Sequence, residues 1–290
     1  MRVSVFLPAL AACLLCLSCT EVSPFLKGAS SLYDLETGAA LTPARAQKAA
    51  GFYGTLEGSL FGSPQSVSFV RISQAVYGLD ILTGEGESAD STSALCLRGR
   101  ATAGINGSYF NMEDLTPMTY IKDNGAVVGS TAEEERFRTN GSLFINPDRL
   151  AVDASDTTAV LPEGERWWEV MTSGPILVDE GEVMDYREGI SEWDLFYHYR
   201  HPRSLVGTDA EGYLWLVVVD GRAPGKADGM TIEELTSLAL EMGLTDALNL
   251  DGGGSSTLWT RQAGVLNHPC DNRRFDHEGQ RAVPNVLAVR

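Results

Sequence analysis

Ser204-Leu205-Val206-Gly207-Thr208-Asp209-Ala210-Glu211-Gly212-Tyr213-Leu214-Trp215-Leu216-Val217-Val218-Val219-Asp220-Gly221-Arg222 is the stretch that sets the architecture. Two apolar runs, 204–207 and 213–219, flank Asp209-Ala210-Glu211-Gly212, a turn composition, and so read as antiparallel strands. A strand with one wet face would alternate apolar and polar residues. The run 213–219 does not alternate, so it belongs in the middle of a sheet covered on both sides. It then meets Asp220-Gly221-Arg222, residues that a buried strand does not contain.

Downstream, Thr231-Ile232-Glu233-Glu234 matches a capping box, in which the Thr hydroxyl and the Glu234 carboxylate satisfy free amides at a helix start. Ile232, Leu235, Leu238, Ala239 and Met242 recur at helical spacing, and Gly243 supplies the stop. Ala247-Leu248-Asn249-Leu250 is a further short strand that enters Asp251-Gly252-Gly253-Gly254-Ser255-Ser256-Thr257, a glycine turn before Leu258-Trp259. Upstream, Thr102 to Ile105 is a strand ending in Asn106-Gly107. Asp123-Asn124-Gly125 lies between Tyr120-Ile121 and Val127-Val128 as a hairpin turn suited to positive φ angles. Val67 to Ile72 and Tyr77 to Leu82 read as strands, and the main domain is expected over 66–290.

Residues 1–18 form a signal peptide: Arg2, then a short apolar run ending in Leu17-Ser18-Cys19. A small residue directly before cysteine at that place resembles a bacterial lipoprotein cleavage site, which makes Cys19 the lipidated residue, with an incidental cysteine in an ordinary leader as the alternative. The expected address is therefore the bacterial cell envelope, as an exported, membrane-anchored lipoprotein. Residues 19–65 read as a tether with an ancillary segment, including a short helix from Thr42-Pro43 through Ala50. Outside the leader only Cys96 and Cys270 remain, enough for one bridge or two free thiols.

The 290 residues carry 22 basic and 39 acidic side chains, a formal charge of −17, which repels nucleic acid. A phosphate-bearing ligand would need a local basic pocket, so individual arginines are informative. The glycine turn has no Gly-Lys-Ser/Thr ending and is not a P-loop; Gly-x-Ser-x-Gly is absent, so it is not a nucleophile elbow. His198, His201, His268 and His277 lack the helical pairing of a zinc site. Glu133-Glu134-Glu135 reads as a solvated charge run, and Trp167, Trp168 and Trp193 as packing aromatics.

Asp220 and Asp251 each end an apolar strand, and a carboxylate pair suits sugar chemistry, although each also suits capping its own turn. Arg203 and Arg222 are candidate phosphate clamps through paired N–H groups, with ion pairing to an aspartate as their other use. Gly252, Gly253 and Gly254 let the backbone approach a ligand and offer amides to an anion.

These residues fall in an ordered series that resembles the phosphodiester glycosidase family: Asn106-Gly107-Ser108-Tyr109-Phe110, Gly174-Pro175-Ile176-Leu177, Pro202-Arg203-Ser204-Leu205-Val206-Gly207, Val219 to Arg222, Gly229 to Glu234, Asn249 to Thr257 and Arg281-Ala282-Val283-Pro284-Asn285. Ser108 and Tyr109 depart from the Gly-Phe often seen in the first motif. The resemblance implies an α+β fold with a mixed, mostly antiparallel sheet, packed helices and a surface cleft at strand ends. It also implies hydrolysis of a sugar-1-phosphodiester, of the N-acetylglucosamine-1-phosphodiester type, between sugar C1 and the phosphate oxygen.

On this reading Arg203 and the glycine-turn amides hold the phosphodiester, and Asp220 or Asp251 faces the anomeric carbon. Asn106, Gly107, Arg222, Asn249, Ser255 and Ser256 complete the substrate site, and no cofactor is required. One alternative is a phosphodiesterase cutting the phosphorus–oxygen bond with calcium or magnesium on Asp220 and Asp251; another is a non-catalytic glycan-binding surface lipoprotein. Expected partners are a sugar-phosphodiester small molecule or a glycan-phosphate polymer, and the membrane through Cys19; the sequence leaves the oligomeric state open.

Overall fold

The computed structural model describes residues 22–84, 89–146, 149–153, 168–185, 191 and 194–290. The quoted hairpin lies at its centre. Arg203–Asp209 pairs antiparallel with Tyr213–Val219, from Arg203 opposite Val219 to Thr208 opposite Leu214. They sit inside an eight-stranded sheet ordered Ser31–Asp34, Gly51–Leu60, Ser63–Ser73, Tyr213–Val219, Arg203–Asp209, Leu244–Asn249, Ile176–Asp179, Glu182–Val183.

Alternate side chains of the central strand enter two cores. Leu214, Leu216 and Val218 meet Ile105, Leu258 and Leu287 of one five-stranded sheet and Ile121, Leu143 and Met171 of another. Trp215, Val217 and Val219 meet Ile232, Leu235, Leu238, Ala239 and Met242 of the helix Ile232–Met242. Double coverage is why the strand is apolar throughout, and each such side chain contributes roughly 1.5–3 kcal/mol of burial. The described strand pairings are antiparallel, so the expected α+β class with mostly antiparallel sheets and packed helices describes the fold.

Local sequence signals carry through. Thr231 and Glu234 form both bonds of the capping box, at 3.1 and 3.0 Å, and Gly243 closes the helix at φ 84°. Asn124 and Gly125 turn the 121–129 hairpin at φ 47° and 82°, the positive pair that matches strand twist. The helix after Thr42 is shorter than expected, covering Pro43–Ala46.

The boundary expected at residue 66 falls inside a strand. Ser63–Ser73 pairs along its length with Gly51–Leu60, which pairs with Ser31–Asp34. Phe25 packs edge-on to Phe69 with ring centres 5.2 Å apart, and Phe52 to Trp215 at 6.0 Å. Residues from Phe25 onward are thus built into the main sheet. Their Gly, Ser and Ala content gives a tether-like composition, yet Gly54 is a packing residue: a Cβ there would lie 2.3 Å from Ser31 O. The leader, Cys19, Trp167 and Trp193 lie outside the described residues. No helix among the described residues is long and apolar enough to cross a membrane.

Candidate active site

Antiparallel pairing brings the predicted residues to one end of the sheets. Arg203 begins its strand opposite Val219, so Asp220 emerges beside it, and Asn249 pairs opposite Leu205, which sends Asp251 past the same edge. Asn106 arrives at the end of Ala103–Asn106, its amide bonded to Thr257 O. Gly253 N donates to Pro202 O at 2.9 Å, which fixes the glycine turn against the Arg203 strand.

Several of the expected ligand-binding side chains face inward and scaffold this junction. Arg203 is buried; its Nε donates to Met230 O at 2.8 Å and its Nη2 to Phe196 O and Tyr199 O at 2.6 and 3.1 Å. It braces the 196–201 segment in place of clamping phosphate. Asn106 is also buried, donating to Asp251 O at 2.8 Å and accepting from Ser204 Oγ and Thr257 N. Asn249 donates to Tyr109 Oη, Gly174 O and Leu250 O, and Gly107 packs so closely that a Cβ would lie 2.0 Å from Asn285 Oδ1. Asn106 is satisfied by the chain itself, whereas the side-chain oxygen of the buried Asn249 has no hydrogen-bond partner among the described residues. The hydroxyls of Ser255 and Ser256 are buried without a hydrogen bond among the described residues.

The glycines act through close approach more than through donated amides. Gly252 N bonds Asp251 Oδ1 at 2.9 Å, Gly253 N bonds Pro202 O, and Ser255 N and Ser256 N turn back to Gly252 O and Gly253 O. A Cβ on Gly252 would meet Pro202 O at 2.7 Å, and one on Gly254 would meet Asp271 Oδ1 at 1.9 Å and Arg281 Nη2 at 2.2 Å. Gly253, at φ 62°, lies under the Arg222 guanidinium. The triple glycine therefore lets the Arg222 side chain and the Arg281–Asp271 pair sit directly on the turn. Arg222 itself is exposed and holds φ 58°, in the left-handed region.

Around Asp251 the turn gathers charge. Arg281 makes a two-pronged ion pair with Asp271 at 2.8 and 2.9 Å, and Arg138, held by Glu135 at 2.5 Å, lies 3.9 Å above the Tyr109 ring. Asp251 is half-buried as a residue, but its carboxyl is enclosed. Burial pushes its pKa up to about 6, against the opposing pull of Ser255, of the Arg138 and Arg281 charges and of Gly252 N. Ser255 Oγ acts there as a neighbouring dipole without a regular hydrogen bond. Arg138 was not foreseen from sequence, and Arg281 was seen only as part of a motif.

Asp220 is buried and accepts four hydrogen bonds: from Ser66 Oγ at 2.8 Å, Asn267 Nδ2 at 3.1 Å, His268 N at 2.8 Å and His268 Nδ1 at 2.8 Å. A carboxylate has about four lone-pair directions, and these four donors occupy them. The His268 imidazole stacks on Phe275 with ring centres 3.8 Å apart, and on His277 at 4.6 Å. With Nδ1 engaged by Asp220, the ring turns Nε2 to the other side. His268 also lines a hollow of about 210 Å³ shared with Gly221, Arg222 and Cys270. Cys270 Sγ faces Gly253 O at 3.6 Å, which joins the hollow to the glycine turn. Cys270 and the buried Cys96 are both free thiols. Among the described residues no group of three His, Cys, Asp or Glu side chains is gathered to hold a metal ion. Sequence gave His268 no advantage over the other histidines; its place beside Asp220 is a product of the fold.

Residues 99–290 match the family model for phosphodiester glycosidase. Over 184 residues the chain is 27% identical to bovine N-acetylglucosamine-1-phosphodiester alpha-N-acetylglucosaminidase, covering 61% of this chain and 33% of the relative. It is 24% identical over 190 residues to the human protein of that name, covering 59% and 33%. The chain thus spans one third of the length of the curated relatives it matches. The catalytic domain of the zebrafish protein of that name superposes with a TM-score of 0.64 at 18% identity, covering 82% of each chain, a likeness of fold. The chain belongs to the phosphodiester glycosidase family.

Proposed function

We propose that this chain hydrolyses a sugar-1-phosphodiester, of the N-acetylglucosamine-1-phosphodiester type named in its mammalian relatives. The bond between C1 and the bridging oxygen breaks, its electron pair leaves with the phosphate, and a water oxygen bonds to C1. Asp251 faces the anomeric carbon and takes the proton that the water loses. A base with a pKa of about 6 combines a largely ionised form near neutrality with useful proton affinity. Asp251 is the observation that carries the reading: an enclosed carboxyl at a sheet end, flanked by Arg138 and Arg281.

Arg222, lying over Gly253 and open to solvent, receives the bridging phosphate in the role that the sequence had suggested for Arg203. Guanidinium charge preset at the departing oxygens stabilises the transition state more than the ground state. His268, positioned by Asp220 and lining the hollow, donates from Nε2 to the leaving phosphate as the imidazolium, with a proton on each ring nitrogen. A phosphomonoester departs readily near neutral pH, so one such hydrogen bond suffices. The address that fits the sequence is the outer face of a bacterial membrane, with a lipid on Cys19 and a glycan-phosphate polymer as an accessible substrate class. Phe25, in the core, lies only a few residues beyond that cysteine, and incorporation of a labelled fatty acid, lost in Cys19→Ala, tests the anchor.

The reaction is tested by turnover in ¹⁸O-labelled water. Label in the sugar supports C1–O cleavage; label in the phosphate replaces it with a phosphodiesterase. Activity that persists in EDTA is expected, and loss restored by added calcium or magnesium would require a metal-assisted scheme. A wild-type protein that binds sugar phosphodiesters without turnover would make this a glycan-binding protein.

A further inference from the structure

The hollow beside His268 has a second property. Arg222, Lys226, Arg273 and Arg274 line it together with His268 and Phe275, and among the described residues no acidic side chain does. In a chain of net charge −17 that concentration of cations is unusual. Several arginines elsewhere in the fold are paired with acids: Arg71 with Asp209 and Glu211, Arg98 with Asp90, Arg200 with Glu234, Arg281 with Asp271, Arg290 with Asp80. Among the described residues Lys226, Arg273 and Arg274 form no ion pair.

We infer that this hollow is the leaving-group subsite and that it selects a leaving group bearing a second anionic group, phosphate or carboxylate, beyond the scissile diester. The inference rests on the hydrolase reading above and names the substrate class of that site. On that reading Arg222 and His268 serve the bridging phosphate; Lys226, Arg273 and Arg274 line the same hollow and are available to a further anion. The backbone of the rim is held by local bonds. Arg273, at φ 57°, bonds its amide to Cys270 O at 3.0 Å, and Arg274 N bonds Asn272 Oδ1 at 2.9 Å. Asp276 is the acidic neighbour of Arg274 and His268, and its carboxylate is engaged by Asn272 Nδ2 and Glu278 N, which with the nearby positive charge hold its pKa down. Lys226 Nζ lies 5.1 Å from the Phe275 ring centre, on the ring that also stacks His268. Forked guanidiniums match planar carboxylate and phosphate oxygens, and a cluster of them steers anions from solution.

The test uses the full folded protein and three sugar-1-phosphodiesters with the same sugar: one with an uncharged alkyl leaving group, one ending in carboxylate, one ending in phosphate. For wild type, kcat/KM is expected to be about tenfold or more higher for at least one anionic substrate than for the neutral one. That ratio should fall toward one in the Lys226→Gln/Arg273→Gln/Arg274→Gln variant, and in roughly 0.5 M salt, where charges more than a few ångströms apart are screened. Equal kcat/KM for all three substrates, or a ratio that the triple variant leaves intact while its melting temperature is unchanged, overturns the subsite and leaves the hydrolase standing. No turnover of any substrate removes the hydrolase reading, and the subsite with it.

Discussion

His268 Nδ1 lies 2.8 Å from Asp220 Oδ2, and the backbone amide of the same histidine lies 2.8 Å from Asp220 Oδ1. One buried carboxylate thus fixes both the position of residue 268 and the tautomer of its ring. An aspartate that ends a central strand at a cleft is often read as a reacting group; in the proposed reaction this one positions His268.

Asp220→Asn tests that division of labour. The amide cannot accept from all four donors, and the ring loses its orienting acceptor. We expect kcat to fall about 10²- to 10⁴-fold, the usual scale of a positioned acid or base, with KM little changed. The pH–rate profile should also lose the limb that His268→Gln removes. A purely structural role for Asp220 would lower the amount of folded enzyme and leave the shape of that profile intact.

The raised pKa of Asp251 predicts activity that climbs as the pH rises through about 6, since the base must be deprotonated to take a proton. Its stability effect has the same origin. A carboxyl whose pKa is higher in the folded state than its ordinary 3.8 favours folding at low pH, and that contribution disappears between about 3.8 and 6. At pH 7 Asp251→Asn should therefore abolish turnover yet raise stability by about 1–3 kcal/mol. Urea unfolding of both proteins across pH 4–8 checks the sign, and a variant less stable than wild type at pH 7 would contradict it.

Glu169 offers a pH effect remote from the cleft. Burial pushes its carboxyl up to about 7, opposed by the hydrogen bond from Ile81 N at 2.6 Å. Its protonated form suits the folded state, so stability should decline as the pH rises from about 4.5 to 7. Glu169→Gln keeps an acceptor for Ile81 N and removes the charge. Its melting temperature should exceed that of wild type above pH 7, by roughly 2–4 °C for each kcal/mol relieved, with the difference vanishing near pH 4.

Gly254→Ala should be more damaging than its size suggests. The added carbon meets Asp271 Oδ1 and Arg281 Nη2 well inside contact distance, whereas at Gly58 nothing lies within 4 Å. Both atoms are the far ends of partly exposed side chains that can move aside, so the cost in stability should stay below the roughly 1–3 kcal/mol of core overpacking, while the displaced Arg281 should lower kcat. Gly58→Ala serves as the control, and equal activity and melting temperature for the two variants would show that the ion pair yields freely.

Where local chemistry sets local structure, the sequence was sufficient. Thr231 and Glu234 start a helix wherever it packs, Asn124-Gly125 turns a hairpin because those residues accept positive φ, and an unbroken apolar run such as Leu214 to Val219 must be covered twice. The ordered motifs pointed to one end of the sheets for the same reason: glycines and strand-ending aspartates mark where strands stop. The boundary at 66 failed because glycine-rich strands such as Gly51–Leu60 owe their place to close backbone approach and to distant aromatic rings.

What the sequence alone determined was the antiparallel α+β framework and the family to which the motifs belong. Tertiary structure decided which of the side chains in those motifs face inward. Arg203 and Asn106 turn to main-chain carbonyls because an unpaired buried polar group is costly, while Arg222, Arg138 and Arg281 gather at the glycine turn from separate stretches of chain. The Asp220–His268 pair spans 48 residues, a separation at which no periodicity operates. Burial and charge proximity are properties of three-dimensional neighbours, so the roles of these residues exist only once the strands have paired.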